Sequence, residues 1–286
     1  MQQTASHNRQ KKLAVINDFC GFGRCSIAVA LPIISAMHIQ CCPLPTAIFS
    51  DHTGFESFFC EDFTEHMQSY AGEWEKLGLY FDGIATGFLG SARQIDIVKD
   101  FLARFKGNHT KVLVDPVMGD YGKLYPTYTP ELAGRMHELL RFADLLTPNL
   151  TEACILTNTP YREDFTEQEL TVLCESLLKA GPQEIVISGI HLGDDLGNFV
   201  YSQGETAMLC AHRVGGYRSG TGDVFGAILA ADLVNGEPLE ASVRKAADFI
   251  TKTILYTQKL GVPDTDGICF EEYVWELGQT TKEVAL

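Results

Sequence analysis

The sequence predicts an α/β protein in which one mostly parallel sheet carries helices on both faces. Three observations lead there. Short β-branched runs alternate with longer stretches of helical periodicity along the chain, the pattern of repeated βα units. Two of these runs, "LAVIND" and "KVLVDPV", read as a buried strand and a central strand. Polar, glycine-bearing segments fall just after strands at 18–24, 50–54, 87–91, 115–122, 147–152 and 188–193. On a parallel sheet such segments gather on one rim, beyond the carboxyl ends of the strands, where ligands bind.

The elements follow in order. Leu13–Asp18 is the first strand, followed by a glycine-bearing turn and an apolar helix over Ser26–Met37. Pro32 within that helix predicts a kink or an early end, because proline lacks the N–H that the helix uses. Residues 41–50 are extended, and Pro43 and Pro45 place their early part near a sheet edge, where a missing donor is tolerated. A helix over Thr64–Leu77 leads to a strand Gly83–Gly87, a helix Ser91–Lys106 and a strand Lys111–Val117. Next come a helix over Glu131–Ala143 and a short strand Asp144–Thr147, then a helix Glu167–Ala180 and the strand Glu184–Ser188. Two weaker strands, Asn198–Ser202 and Thr206–Cys210, precede closing helices from Thr221 and over Leu239–Leu260. No repeat or linker interrupts this rhythm. Residues 11–286 are therefore expected to form a single domain and residues 1–10 a disordered tail.

The chain has 286 residues, 45% of them hydrophobic, which suffices for a substantial core. Its net charge of −15 argues against a nucleic-acid or anionic-membrane surface, since both need basic patches. It does not exclude ATP, because a local site can be positive inside a negative protein. Nine cysteines show no CxxC, an odd count that fits a reducing cytoplasm better than a disulfide framework. The first apolar run, Leu13–Ile16, is too short for a signal segment, and no stretch approaches the roughly 18 apolar residues of a membrane span. The sequons at Asn108 and Asn149 are then read as chance, and the protein is expected in the cytoplasm.

The sharpest motif is "GGYRSGTGDVFGAILAADLVNG". Val224, Phe225, Ile228, Leu229 and Leu233 recur at helical spacing, so Gly220, Thr221 and Gly222 sit at a helix N-terminus. Free backbone N–H groups and the positive end of the helix dipole make such a terminus an anion hole, with Asp223 beside it. The same letters also describe an ordinary helix with a glycine entry and an acidic first turn. A second motif, "VDPVMGD", places Asp115 and Asp120 on the ligand rim, suited to Mg²⁺, although Asp, Pro and Gly are also plain turn residues. A third, "TPNLTEA", sets Thr147, Asn149 and Glu152 after a short strand, with Thr151 as the expected helix cap. There is no GxxxxGK[ST], no complete GxGxxG, no zinc spacing and no GxSxG elbow.

"GTGD" opening an apolar helix, with "DPVMGD" and "TPNLTEA" upstream, resembles the ribokinase-like superfamily. The segments "GFGRCSIAVALPIISAMHIQCCPLPTAIFSDHTGF" and "ATGFLGS" narrow the resemblance to pyridoxal/pyridoxamine kinases, over Leu13 to Leu260. The resemblance implies a ribokinase-like three-layer αβα domain, a homodimer, transferring the γ-phosphoryl of ATP to the 5′-hydroxymethyl of a B6 vitamer. It implies Asp223 as catalytic base, with Gly220, Thr221 and Gly222 as the anion hole. It assigns Asp115, Asp120, Thr147, Asn149 and Glu152 to Mg²⁺ and phosphate, and Ser188 to the nucleotide side. His52, Thr53 and Phe88 match positions lining the pyridine pocket, and K⁺ is a further candidate cofactor. One position departs: pyridoxal kinases commonly place a serine against the ring, whereas this chain has Asp18, which predicts a bias toward pyridoxamine. A hydroxymethylpyrimidine kinase is the nearest rival, disfavoured by Asp223 where those enzymes often carry cysteine. A non-catalytic vitamer-binding protein is the alternative from another class.

Overall fold

A computed structural model describes residues 6–279. In chain order the elements are β1 (Lys12–Phe22), α1 (Ser26–Ala36), β2 (Gln40–Asp51), β3 (Cys60–Asp62), α2 (Thr64–Lys76), β4 (Gly83–Thr86) and α3 (Ala92–Phe105). Then follow β5 (Lys111–Val114), β6 (Gly119–Asp120), β7 (Lys123–Leu124), α4 (Pro130–Arg135), α5 (His137–Leu140), β8 (Leu145–Leu146) and α6 (Leu150–Leu156). The chain ends with α7 (Glu167–Leu178), β9 (Glu184–Leu192), β10 (Asp195–Ser202), β11 (Glu205–His212), α8 (Thr221–Asn235) and α9 (Leu239–Leu260).

Residues Lys12–Asp18 of β1 are all buried, as a strand covered on both faces must be, and beyond Asp18 the burial alternates as β1 leaves the sandwich. Among the described residues the main sheet runs β11-β10-β9-β8-β5-β4-β1-β2-β3. The six strands from β9 to β2 are parallel, and the sheet is antiparallel only at its ends, β10–β11 on one side and β3 on the other. One core lies between the sheet and α1, α8 and α9. The other lies beneath α2 to α7. This is the expected three-layer αβα domain.

Several local expectations hold for the expected reason. Pro43 and Pro45 lie in β2 opposite Val15 and Asn17, and β3 pairs only with Ala47–Phe49, so the proline half of β2 does face an open edge. Other elements differ. Pro32 sits inside α1 without ending it, four residues before Ala36. The helix expected over Glu131–Ala143 is two short helices parted at Met136. Thr151 lies within α6, and the cap is Asn149, whose side chain accepts the Glu152 N–H while the Glu152 carboxylate accepts the Asn149 N–H. Of the tail expected over 1–10, residues 1–5 lie outside the described residues. Asn8, however, donates to the Gly78 carbonyl at 2.9 Å and accepts from the Tyr80 hydroxyl at 2.8 Å, so the described chain is anchored earlier than composition implied. No described helix is long and apolar enough to cross a membrane.

Candidate active site

A cleft of about 840 Å³ opens along the carboxyl ends of the strands. Asp18, His52, Thr53, Phe88, Asp115, Asp120, Thr147, Asn149, Glu152, Ser188 and Gly220–Asp223, every candidate drawn from the sequence, line it. Six strands of the main sheet (β1, β2, β4, β5, β8 and β9), the β6 hairpin and the N-terminus of α8 deliver them, so the topology brings together what the sequence separates by some two hundred residues.

The entry to α8 is built by glycine. Gly220 has φ +78°, and a Cβ there would stand 1.7 Å from the Arg24 carbonyl oxygen, so no side chain fits. Among the described residues the amides of Thr221, Gly222 and Asp223 have no hydrogen-bond partner, and no side chain caps the helix. Three unpaired N–H groups at the positive end of a fifteen-residue helix suit a phosphate. The partly buried Asp223 stands in the first turn, where the loss of water, helped by the nearby Asp18 charge and opposed by the Ser26 amide, pushes its carboxyl up to about 7. The Asn17 side-chain amide, 3.4 Å away, pulls the other way. A carboxylate near neutrality is suited to accept a proton from a hydroxyl.

Beside it lies the acidic side. Burial raises Asp115 well above the ordinary carboxyl range, and Glu152 and Asp223 repel its charge. Asp120 ends β6, beside a two-residue turn at Tyr121 and Gly122 with φ +49° and +74°, and its carboxylate accepts the Tyr121 N–H at 2.8 Å. Burial raises Asp120 too. Glu152 is placed otherwise than a free metal ligand would be: its oxygens accept the amides of Met118 and Asn149, each at 2.9 Å, while Asn149 donates to the Gly119 carbonyl at 2.8 Å. Burial still carries Glu152 up to about 8 against that pull. Its place is that of a brace between the β5 loop and α6. Thr147 has a buried hydroxyl without a partner, and Ser188 is held to the Pro148 carbonyl by its amide. Among the described residues no three acidic, imidazole or thiol groups enclose an ion by themselves. Asp115 and Asp120, half-buried acidic groups on the rim of the cleft, fit Mg²⁺ of the kind that completes its shell with phosphate oxygens and water.

The other end of the cleft is aromatic. Phe88 meets Phe49 edge-on at 6.1 Å. His52 accepts the Gly54 amide on Nδ1 at 3.1 Å, so its Nε2–H donates to the Thr265 carbonyl at 2.7 Å, and the ring packs on Phe55. Asp18 is only 6% exposed. Burial raises its pKa, and it accepts only from near neighbours, the Cys20 thiol at 3.3 Å and the Ser26 hydroxyl. The obvious cation, Arg24, is turned to Glu271 and the Asp266 carbonyl instead. Among the described residues Asp18 thus enters the cleft without an ion-pair partner, with the His52 ring acting on it only from a distance.

The sequence reading missed Asn17 and Arg218. Asn17 Oδ1 accepts the amides of Asp18 and Phe88 at 3.0 and 2.8 Å, which turns its Nδ2 toward Asp223. Its position next to Asp18 at a strand end was the available signal. Arg218 shows only as a basic residue beside a glycine turn.

Anion hole, acidic pair and aromatic wall on a mostly parallel sheet are the parts of a small-molecule phosphotransferase site. The chain belongs to the phosphomethylpyrimidine kinase family, whose model matches residues 76–266. Over 181 residues it is 34% identical to a hydroxymethylpyrimidine/phosphomethylpyrimidine kinase of Haemophilus influenzae, covering 61% of this chain and 65% of that one. Over 199 residues it is 29% identical to a pyridoxal kinase of Arabidopsis thaliana, covering 65% and 62%. The matches thus span slightly less than two thirds of those relatives. A crystal structure with pyridoxal, of a protein from Bacteroides thetaiotaomicron provisionally named a phosphomethylpyrimidine kinase, superposes with a TM-score of 0.92 at 35% identity over 97% of this chain and 99% of that one.

Proposed function

We propose that the protein is an ATP-dependent kinase that phosphorylates the hydroxymethyl group of a small heteroaromatic ring, a B6 vitamer in the first instance. The observation that carries this reading is the meeting, at the start of α8, of three partnerless amides with the Asp223 carboxyl, which is poised near neutrality. The ring rests against Phe88 and Phe49, with its hydroxymethyl directed at Asp223. Asp223 takes the hydroxyl proton as the oxygen forms its bond to the γ-phosphorus and the bond from that phosphorus to the ADP oxygen breaks. The amides of Thr221, Gly222 and Asp223 hold the charge on the transferring group, and Asp115 and Asp120 hold the metal side. Bound Mg²⁺ supplies charge neutralisation of the phosphates.

A hydroxymethylpyrimidine substrate is the second reading, favoured by the family model and by the Haemophilus relative. Asp223 in place of cysteine and the pyridoxal-bound relative favour the vitamer. One assay separates them: purified protein with Mg·ATP and, in turn, pyridoxal, pyridoxamine, pyridoxine, hydroxymethylpyrimidine and ribose, scored by ADP release. The vitamer reading predicts a higher kcat/KM for at least one vitamer than for the pyrimidine. The reverse order makes the pyrimidine the substrate, and ADP release with none removes the kinase reading.

A further inference from the structure

The segment Val262–Gly267 follows α9 and carries no motif, yet each of its six consecutive carbonyls accepts a hydrogen bond from the rim of the cleft. Those of Val262 and Pro263 accept from Arg218 Nη1 at 3.1 and 3.3 Å, with a weaker contact to that of Gly267 at 3.5 Å. That of Asp264 accepts the Ser219 amide at 3.4 Å. That of Thr265 accepts His52 Nε2–H at 2.7 Å. That of Asp266 accepts both the amide and the Nη1 of Arg24, each at 3.2 Å. Three separate pieces of the rim are gripped: the loop before α8, the turn between β1 and α1, and the end of β2.

Arg218 is the centre of this arrangement. It is 7% exposed, and its Nη2 also pairs with the Asp264 carboxylate at 3.0 Å. An extended cation is rarely buried unless its donors are used, and here both terminal nitrogens are used, on Asp264 and on backbone acceptors forty-four and more residues away in sequence, while the buried Nε–H has no partner among the described residues. Packing leaves little slack. A Cβ at Gly267, which has φ +80°, would lie 2.8 Å from the Arg24 Cβ and 3.1 Å from the Ser219 carbonyl oxygen. A Cβ on Gly23 or Gly54 would lie 2.8 Å from the His52 ring.

We infer that Val262–Gly267 is a positioning strap, anchored by Arg218, that fixes the anion hole of α8 in register with the His52 wall of the aromatic pocket. Arg218 lies just before the anion hole and His52 on the aromatic wall, and both are tied to the same six-residue segment, so a change at Arg218 reaches His52 through the Thr265 carbonyl. The inference rests on the proposed function only in taking pyridoxal as the probe of that wall.

The test uses Arg218→Lys, which keeps the charge but not the planar fork that spans these acceptors. His52 tautomer state is read by long-range ¹H–¹⁵N NMR, and pyridoxal affinity by calorimetry. The strap predicts a fixed Nε2–H tautomer in the wild type and an averaged one in Arg218→Lys. It predicts a pyridoxal Kd raised about tenfold, the scale of one good hydrogen bond. It further predicts that His52→Ala, which weakens binding alone, adds nothing in the Arg218→Lys background. An unchanged His52 spectrum, an unchanged Kd, or losses that multiply in the double variant overturn it. Arg218→Gln replaces the lysine variant if that does not fold. If wild type binds no pyridoxal, the vitamer reading fails while the His52 spectra still decide the strap.

Discussion

At the scale of the residue, the proposed function puts most of its chemistry on two carboxylates, and both are held away from water. For Asp223 the burden is proton transfer, a role contributing about 10²–10⁴ in rate. Asp223→Asn is expected to fold and bind ATP while turnover falls by about that factor. Because burial pushes the group up to about 7, kcat/KM for the wild type should fall as the pH drops through about 7, where the protonated carboxyl no longer accepts a proton. A flat profile there, or wild-type turnover in Asp223→Asn, leaves Asp223 as a mere first-turn acid. For Asp18 the burden is selectivity. It is buried beside an aromatic wall, and Arg24 is spent elsewhere. A charge-assisted hydrogen bond to an ammonium is worth about 1.5–3 kcal/mol against about 1 for a neutral one. The ratio of kcat/KM for pyridoxamine over pyridoxal should therefore drop by roughly tenfold in Asp18→Ser; an equal ratio in both proteins means Asp18 does not read the amine. Neither burden was readable from residue type alone, since an Asp at a strand end is as often a turn residue.

At the scale of the element, the strand-end motifs were legible because their letters have local physical meaning: glycine for the tight entry at Gly220, and polar residues after a short strand for a capped helix start, although the cap is Asn149 and not the expected Thr151. What the letters withheld was the direction of each side chain. Glu152 reads equally as a metal ligand or as a capping residue, and its oxygens in fact accept two amides. Glu152→Gln must turn an amide N–H₂ toward one of those donors. That change should cost about 1–3 kcal/mol, lowering Tm by roughly 2–4 °C per kcal/mol in a chain of this size. A thermal scan paired with a Mg²⁺ titration checks this. An unchanged Tm with a higher Mg²⁺ requirement returns Glu152 to the metal. The broken helix at Met136, the hairpin of β6 and β7 and the three-residue β3 were missed for another reason: elements so short carry fewer than two periods of any pattern.

At the scale of the whole molecule, the alternation of buried strands with helices was enough to foresee the three layers, the parallel centre and the rim on which the site lies. Long-range ties were not foreseeable in the same way. Arg218 meets its acceptors on the far side of α9, and those acceptors are backbone carbonyls, which any residue supplies. The charge balance tells a similar story: a chain with net charge −15 gathers a cleft whose partnerless donors at α8 are amides rather than lysines, so composition alone gives no hint of the proposed anion site. The most direct measurement of the central claim follows the product. Pyridoxal, Mg·ATP and wild-type protein are incubated, and the heteroaromatic is analysed by ³¹P NMR and mass spectrometry. The account predicts a phosphate monoester on the hydroxymethyl oxygen, formed one for one with ADP and absent with Asp223→Asn. Unmodified pyridoxal alongside ADP release, or unmodified ring substrates throughout the panel, would contradict it.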